Sequence, residues 1–116
     1  MMLEGAQVDH GGHANQLPWL VSEVLDFDQA IAKAMAFADS NGETLVIVTA
    51  DHETGGLTLT GGDYKTGYTS GQFSTEDHTA IPVPVFAYGP GAQLFTGVYE
   101  NTAIFFKILQ AMHIKN

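Results

Sequence analysis

Between Leu17 and Asp39 apolar residues recur at three- and four-residue spacing, and Leu20, Val24, Phe27, Ile31, Ala34 and Ala38 fall on one stripe. That period predicts an amphipathic helix. Asn41-Gly42 is expected to stop it, because glycine accepts the left-handed turn that commonly follows a helix end. From Thr44 to Thr49 the pattern changes to a continuous apolar run bounded by turn signals. Such a run predicts a strand buried on both faces of a parallel sheet. Upstream, Met1, Met2 and Leu3 stand apolar just ahead of Glu4. Met1–Val8 is therefore expected to be the last part of a buried strand, and 9–15 a turn loosened by Gly11-Gly12.

Downstream, the stretch 61–77 is rich in Gly, Thr, Ser and Tyr and predicts a long loop or small hairpin. Val83–Tyr88 predicts a strand opened by Pro82 and Pro84, near a sheet edge where a missing amide donor is tolerated. Ile104, Phe105, Ile108, Leu109 and Met112 share one face of a final helix, with Asn101 the expected cap. Trp19 and the phenylalanines are expected in the core. Strand, helix, strand is the order of an α/β layered fold, a mostly parallel sheet flanked by helices. No repeat or linker interrupts residues 1–116, so the expectation is a single domain.

With 116 residues, 45% of them hydrophobic, the chain can form one compact core. The net charge of -9 argues against nucleic acid and anionic membrane surfaces as partners, since both attract basic faces. There are no cysteines, so neither redox compartment is favoured. No apolar run approaches a membrane span, and Met1-Met2-Leu3 is too short for the apolar part of a signal peptide.

Chemistry concentrates in three places. They are Glu4–His13, Val48–Gly56 and Asp77-His78-Thr79, which together hold four of the five histidines. Imidazole and carboxylate hold zinc, and carboxylate alone suits harder ions such as magnesium. Clustered carboxylates repel one another unless they share ions. The three segments therefore predict a metal site beyond the carboxyl ends of strands, where open parallel sheets bind ligands. Taken singly, each has a plainer reading: Asp9 and His13 as an exposed helix face, Asp51-His52 as a helix N-cap, His78 as a surface histidine, Glu4 as a strand-end charge. His113 lies at a helix end, where a cation is favourable, and receives no function.

In order along the chain stand Glu-Gly-x-x-x-Asp-x-x-x-His from Glu4, Thr-Ala-Asp-His-x-x-Gly-Gly from Thr49, His78-Thr79, and Tyr-Gly-Pro-Gly from Tyr88. This series resembles the C-terminal part of alkaline phosphatases, from Glu4 to the final helix. The resemblance implies that Asp9, His13 and His78 are the protein ligands of one zinc. It makes Asp51 and His52 ligands of a second zinc whose site is incomplete in this chain, and Glu4 a ligand of magnesium. His10 falls where the family varies and is a near-site group. The implied activity is hydrolysis of phosphate monoesters by two-metal phosphoryl transfer through a phosphoserine.

The family's nucleophilic serine, the aspartate shared by zinc and magnesium, and the phosphate-clamping arginine lie upstream of the matching segment. Here there is no arginine: the four basic residues are Lys33, Lys65, Lys107 and Lys115. Ser22, Ser40, Ser70 and Ser74 match no nucleophile context. The 116 residues are thus expected to supply metal ligands only, to be inactive alone, and to leave a sheet edge uncovered through which they self-associate as a homo-oligomer or join a larger protein. The resemblance implies a periplasmic or extracellular location, which the chain itself does not reveal. Two other readings stand beside this one: a non-catalytic metal-binding or assembly module from a truncated gene, and a related metallohydrolase of phosphodiesters or sulfates.

Overall fold

The computed structural model describes Met1–Ile114. In chain order the elements are α1 (Ala6–His13), α2 (Leu17–Asn41), β1 (Val46–Thr49), β2 (Glu53–Thr54), β3 (Thr58–Asp63), β4 (Tyr68–Gln72), β5 (His78–Thr79), β6 (Val85–Tyr88), a 3-10 turn (Ala92–Phe95) and α3 (Ala103–Ala111). They form two compact units. One comprises Met1–Gln29 and His52–Pro82; the other comprises Ala30–Asp51 and the residues from Val83 onward.

In the first unit the chain start is not a buried strand. Met1, Met2 and Leu3 are exposed, and the expected turn at 9–15 is mostly helix, because α1 runs to His13. The two glycines that argued against a helix are its buried residues. A Cβ on Gly11 would stand 2.9 Å from the Leu20 Cα, and one on Gly12 would stand 2.9 Å from the Thr54 Cγ2. Glycine costs a helix interior up to about 1 kcal/mol relative to alanine. Here that cost is outweighed by close approach of the backbone to its neighbours. Two residues past the helix end, Asn15 takes a left-handed φ of 52°, and its backbone N–H donates to the Gly12 carbonyl at 3.0 Å.

The glycine- and threonine-rich stretch folds as the small hairpin. β3 and β4 pair antiparallel, Gly62 opposite Thr69, with a bulge between Leu59 and Gly61. β2 and β5 make a second, shorter antiparallel pair, Glu53 opposite Thr79 and Thr54 opposite His78.

In the second unit α2 stops as expected: Gly42 takes φ 71° and its N–H donates to the Ala38 carbonyl at 2.8 Å. β1 does not lie in a parallel sheet. It pairs antiparallel with β6, from Val46 opposite Tyr88 to Thr49 opposite Val85. A run of apolar residues records that a strand packs on its faces but not which way its neighbour runs. All three sheets among the described residues are two-stranded and antiparallel, so the mostly parallel sheet is not found among them. Helix and strand are mixed, as an α/β chain requires. β6 begins just after Pro84, whose carbonyl accepts from the Thr49 hydroxyl at 3.2 Å.

Lys107 on α3 ties down the 3-10 turn, donating to the Leu94 carbonyl at 2.6 Å and lying 4.2 Å over the Tyr99 ring. The residue capping α3 is Thr102, not Asn101, and no side chain makes the capping bond; the Asn101 backbone carbonyl instead accepts from Ile104 N–H. Of the expected apolar face, Ile104, Ile108 and Leu109 are partly buried, whereas Phe105 and Met112 are exposed. Among the described hydrophobic residues only Ala38 and Phe95 are buried. Trp19, Phe37, Phe86, Phe105 and Phe106 are exposed, which corrects their expected place in a core.

Candidate metal centre

Asp9 and His13 are one turn apart on α1, which puts both side chains on one helix face. His78 enters from β5, directly opposite Thr54 of β2. These three elements belong to the first unit and bring the groups together. His13 Nε2 lies 3.4 Å from Asp9 Oδ2, His78 Nε2 lies 3.6 Å from Asp9 Oδ1, and the two Nε2 atoms are 3.1 Å apart. His52 joins them, its ring stacked on that of His78 with centroids 3.5 Å apart. Asp9, His52 and His78 each offer a ligand atom within 4.8 Å of the others.

These separations suit a cation. Ligand atoms about 2.0–2.2 Å from a tetrahedral zinc stand about 3.3–3.6 Å from one another. The donor set, imidazole nitrogen with carboxylate oxygen, is also the zinc type.

The imidazole tautomers follow from their partners. His13 Nδ1 is 2.5 Å from the Glu76 carbonyl, which only accepts, so Nδ1 carries the proton and Nε2 of the neutral ring carries the lone pair. The Thr54 hydroxyl has one proton, which it donates to Asp9 Oδ1 at 2.5 Å. Toward His52 Nδ1, 3.3 Å away, its oxygen therefore accepts, which puts the lone pair of neutral His52 on Nε2 as well. Such outer bonds are what orient metal-binding histidines.

Asp9 is held below the usual carboxylate range, chiefly by the Thr54 hydrogen bond, with partial burial opposing and His13, His52 and His78 assisting. It is thus the anionic member of the cluster at neutral pH.

Of the other expected residues, Glu4 is exposed in the segment before α1, His10 is exposed on α1, and Asp51 is exposed two residues past β1, next to His52 in the chain. Sequence reasoning missed Thr54, Glu53 and the Glu76 carbonyl. Glu53 and Thr54 fill the two unspecified positions of the Thr49–Gly56 motif, whereas a backbone acceptor leaves no mark in sequence.

The chain was compared with known proteins. The family model described as alkaline phosphatase matches residues 1–71 and 62–114. Alkaline phosphatase H of Pseudomonas aeruginosa is 35% identical over all of this chain, which spans 28% of that protein. Streptomycin-6-phosphate phosphatase of Streptomyces griseus is 36% identical over 99% of the chain, which again spans only 29% of the relative. Among solved structures, alkaline phosphatase from the Antarctic bacterium TAB5 superposes with a TM-score of 0.89 at 52% identity. That match covers 97% of this chain and 35% of that one. A variant of the same enzyme, with magnesium bound in the M3 site, superposes with a TM-score of 0.88 at 49% identity and the same coverage. The chain spans roughly a third of the proteins it matches. It belongs to the alkaline phosphatase family of hydrolases.

Proposed function

We propose that this chain is the metal-holding part of a phosphate monoester hydrolase. The observation that carries the reading is the Asp9–His13–His78 arrangement, an ionised carboxylate and two imidazoles with mutual spacings of 3.1–3.6 Å. In this reading Asp9, His13 and His78 hold one zinc. Asp51 and His52 contribute to a second zinc, and Glu4 to magnesium. A divalent ion there supplies Lewis acidity toward a phosphoryl oxygen. The chain's own residues prepare for it: Glu76 fixes the His13 tautomer, and Thr54 fixes Asp9 and His52.

The remaining parts of such a site, a serine nucleophile and an arginine that clamps phosphate, come from residues outside these 116. The 116 residues alone are then inactive toward phosphate monoesters. The same outside residues supply the parallel strands that complete the layered sandwich and cover the exposed apolar side chains. Location in the periplasm or outside the cell belongs to the same proposal. The exposed Phe86 and Tyr88 of β6 and Phe105 and Phe106 of α3 favour this over a free-standing module.

Co-expression with the upstream part of a relative tests the reading. Saturable hydrolysis of p-nitrophenyl phosphate should appear only when both parts are present and should vanish with chelator. Activity of the 116-residue chain alone, or none from the pair although the two parts bind each other, would contradict it.

A further inference from the structure

The Glu53 carboxylate accepts three hydrogen bonds. Oε2 accepts the Gly56 N–H at 3.1 Å and the Thr79 hydroxyl, and Oε1 accepts the Leu57 N–H at 3.3 Å. The first and third of these bonds fold the chain after β2 into the Gly55-Gly56 turn, where both glycines are left-handed, with φ 86° and 57°. That turn in turn holds a second loop. The Gly55 carbonyl accepts from the Ser74 and Thr75 N–H groups at 2.9 and 3.2 Å, and the Gly55 N–H donates to the Asp77 carbonyl at 3.0 Å. Between these anchors lies Glu76, whose carbonyl fixes His13 Nδ1, and just beyond them lies His78. The Thr79 hydroxyl that Glu53 accepts belongs to the residue next to His78.

We infer that Glu53 is a positioning residue that sets His13 and His78 at the metal centre by bridging the Gly55-Gly56 turn to Thr79. Two-residue strands such as β2 and β5 make too few ladder bonds to hold a register by themselves. Here the carboxylate adds the cross-strand tie. Glutamine has one acceptor oxygen in place of two and turns an amide donor toward the N–H or O–H donors on its other side, so Glu53→Gln breaks at least one of the three bonds with little change of size. Thr79→Val removes the hydroxyl at equal volume, and Thr79→Ser keeps it.

The test has two readouts on the full chain. In metal-free protein, ¹⁵N spectra of the imidazole nitrogens report tautomer and surroundings of His13 and His78. Glu53→Gln should shift both rings. In calorimetry with zinc ion alone, Glu53→Gln and Thr79→Val should each weaken binding about 10–100-fold, the range for loss of an outer support. Thr79→Ser should restore it. Only the zinc arm rests on the proposed metal function, so a chain that binds no zinc leaves the spectra to decide. Unshifted His13 and His78 signals in a folded Glu53→Gln chain would overturn the inference. If Glu53→Gln does not fold, the threonine pair decides: Thr79→Val spectra matching those of Thr79→Ser and the unmodified chain would overturn it.

Discussion

Thr54 Oγ1 donates to Asp9 Oδ1 at 2.5 Å, joining residues 45 apart in sequence. The same threonine stands opposite His78 in the β2–β5 pair, and its methyl fills the space left by the missing side chain of Gly12. One side chain thus bears on the helix that carries Asp9 and His13 and on the strand that carries His78.

Replacing Thr54 by valine keeps the methyl and removes the proton donor. The Asp9 pKa should rise back toward the ordinary carboxylate value in the metal-free chain. A depressed folded-state pKa contributes stability above the unfolded value, and that stability is lost as pH falls through the folded value. Thr54→Val should therefore flatten the acid limb of the stability curve. Carboxyl ¹³C titration of Asp9 by NMR checks the shift directly, and zinc affinity should fall about tenfold or more.

Tyr88 and Asp39 give the opposite sign. The Tyr88 hydroxyl donates to Asp39 Oδ1 at 2.5 Å, and this bond, with the aspartate charge, raises the Tyr88 pKa. A neutral phenol gains the partner, so its contribution is present below the unfolded pKa and lost as pH rises through the folded one. Ultraviolet titration should show a tyrosine step above the ordinary phenol range, and Tyr88→Phe or Asp39→Asn should remove it. Because Tyr88 is exposed, the effect on stability should be small.

Two glycine substitutions should separate packing from backbone strain. At Gly12 a Cβ meets Thr54 Cγ2 at 2.9 Å, so Gly12→Ala pushes α1 off β2 and should cost about 1–3 kcal/mol as well as zinc affinity. At Gly42 nothing lies within 4 Å but φ is 71°. Gly42→Ala should cost about 1–2 kcal/mol and leave zinc binding unchanged. Denaturant melts paired with zinc titration distinguish the two.

Much of this was legible in the sequence because its cause is local. The stripe from Leu20 to Ala38 and the Asn41-Gly42 stop specify α2 within a few residues, and turn-rich composition specifies the β3–β4 hairpin. Family motifs singled out Glu4 and Asp51 together with Asp9, His13, His52 and His78, and the last four stand together in the first unit. What failed depended on distant neighbours. Gly11-Gly12 looked like a helix breaker because the groups that need the space, Leu20 and Thr54, are not adjacent in the chain. The apolar run at 46–49 carried no information on the direction of its partner, and β6 runs antiparallel to it. The Glu76 carbonyl that fixes His13 is backbone, identical in every residue type.

Calorimetric titration with zinc ion tests whether Asp9, His13 and His78 form one zinc site. At pH 7.5 the chain should bind zinc, releasing it as the solution is brought toward about pH 5, where histidine takes up protons and can no longer ligate. His13→Ala and His78→Ala should each abolish the tightest site, while His113→Ala, at the far end of the chain, should leave it intact. Tightest binding that survives both His13→Ala and His78→Ala unchanged would show that these residues do not form the site.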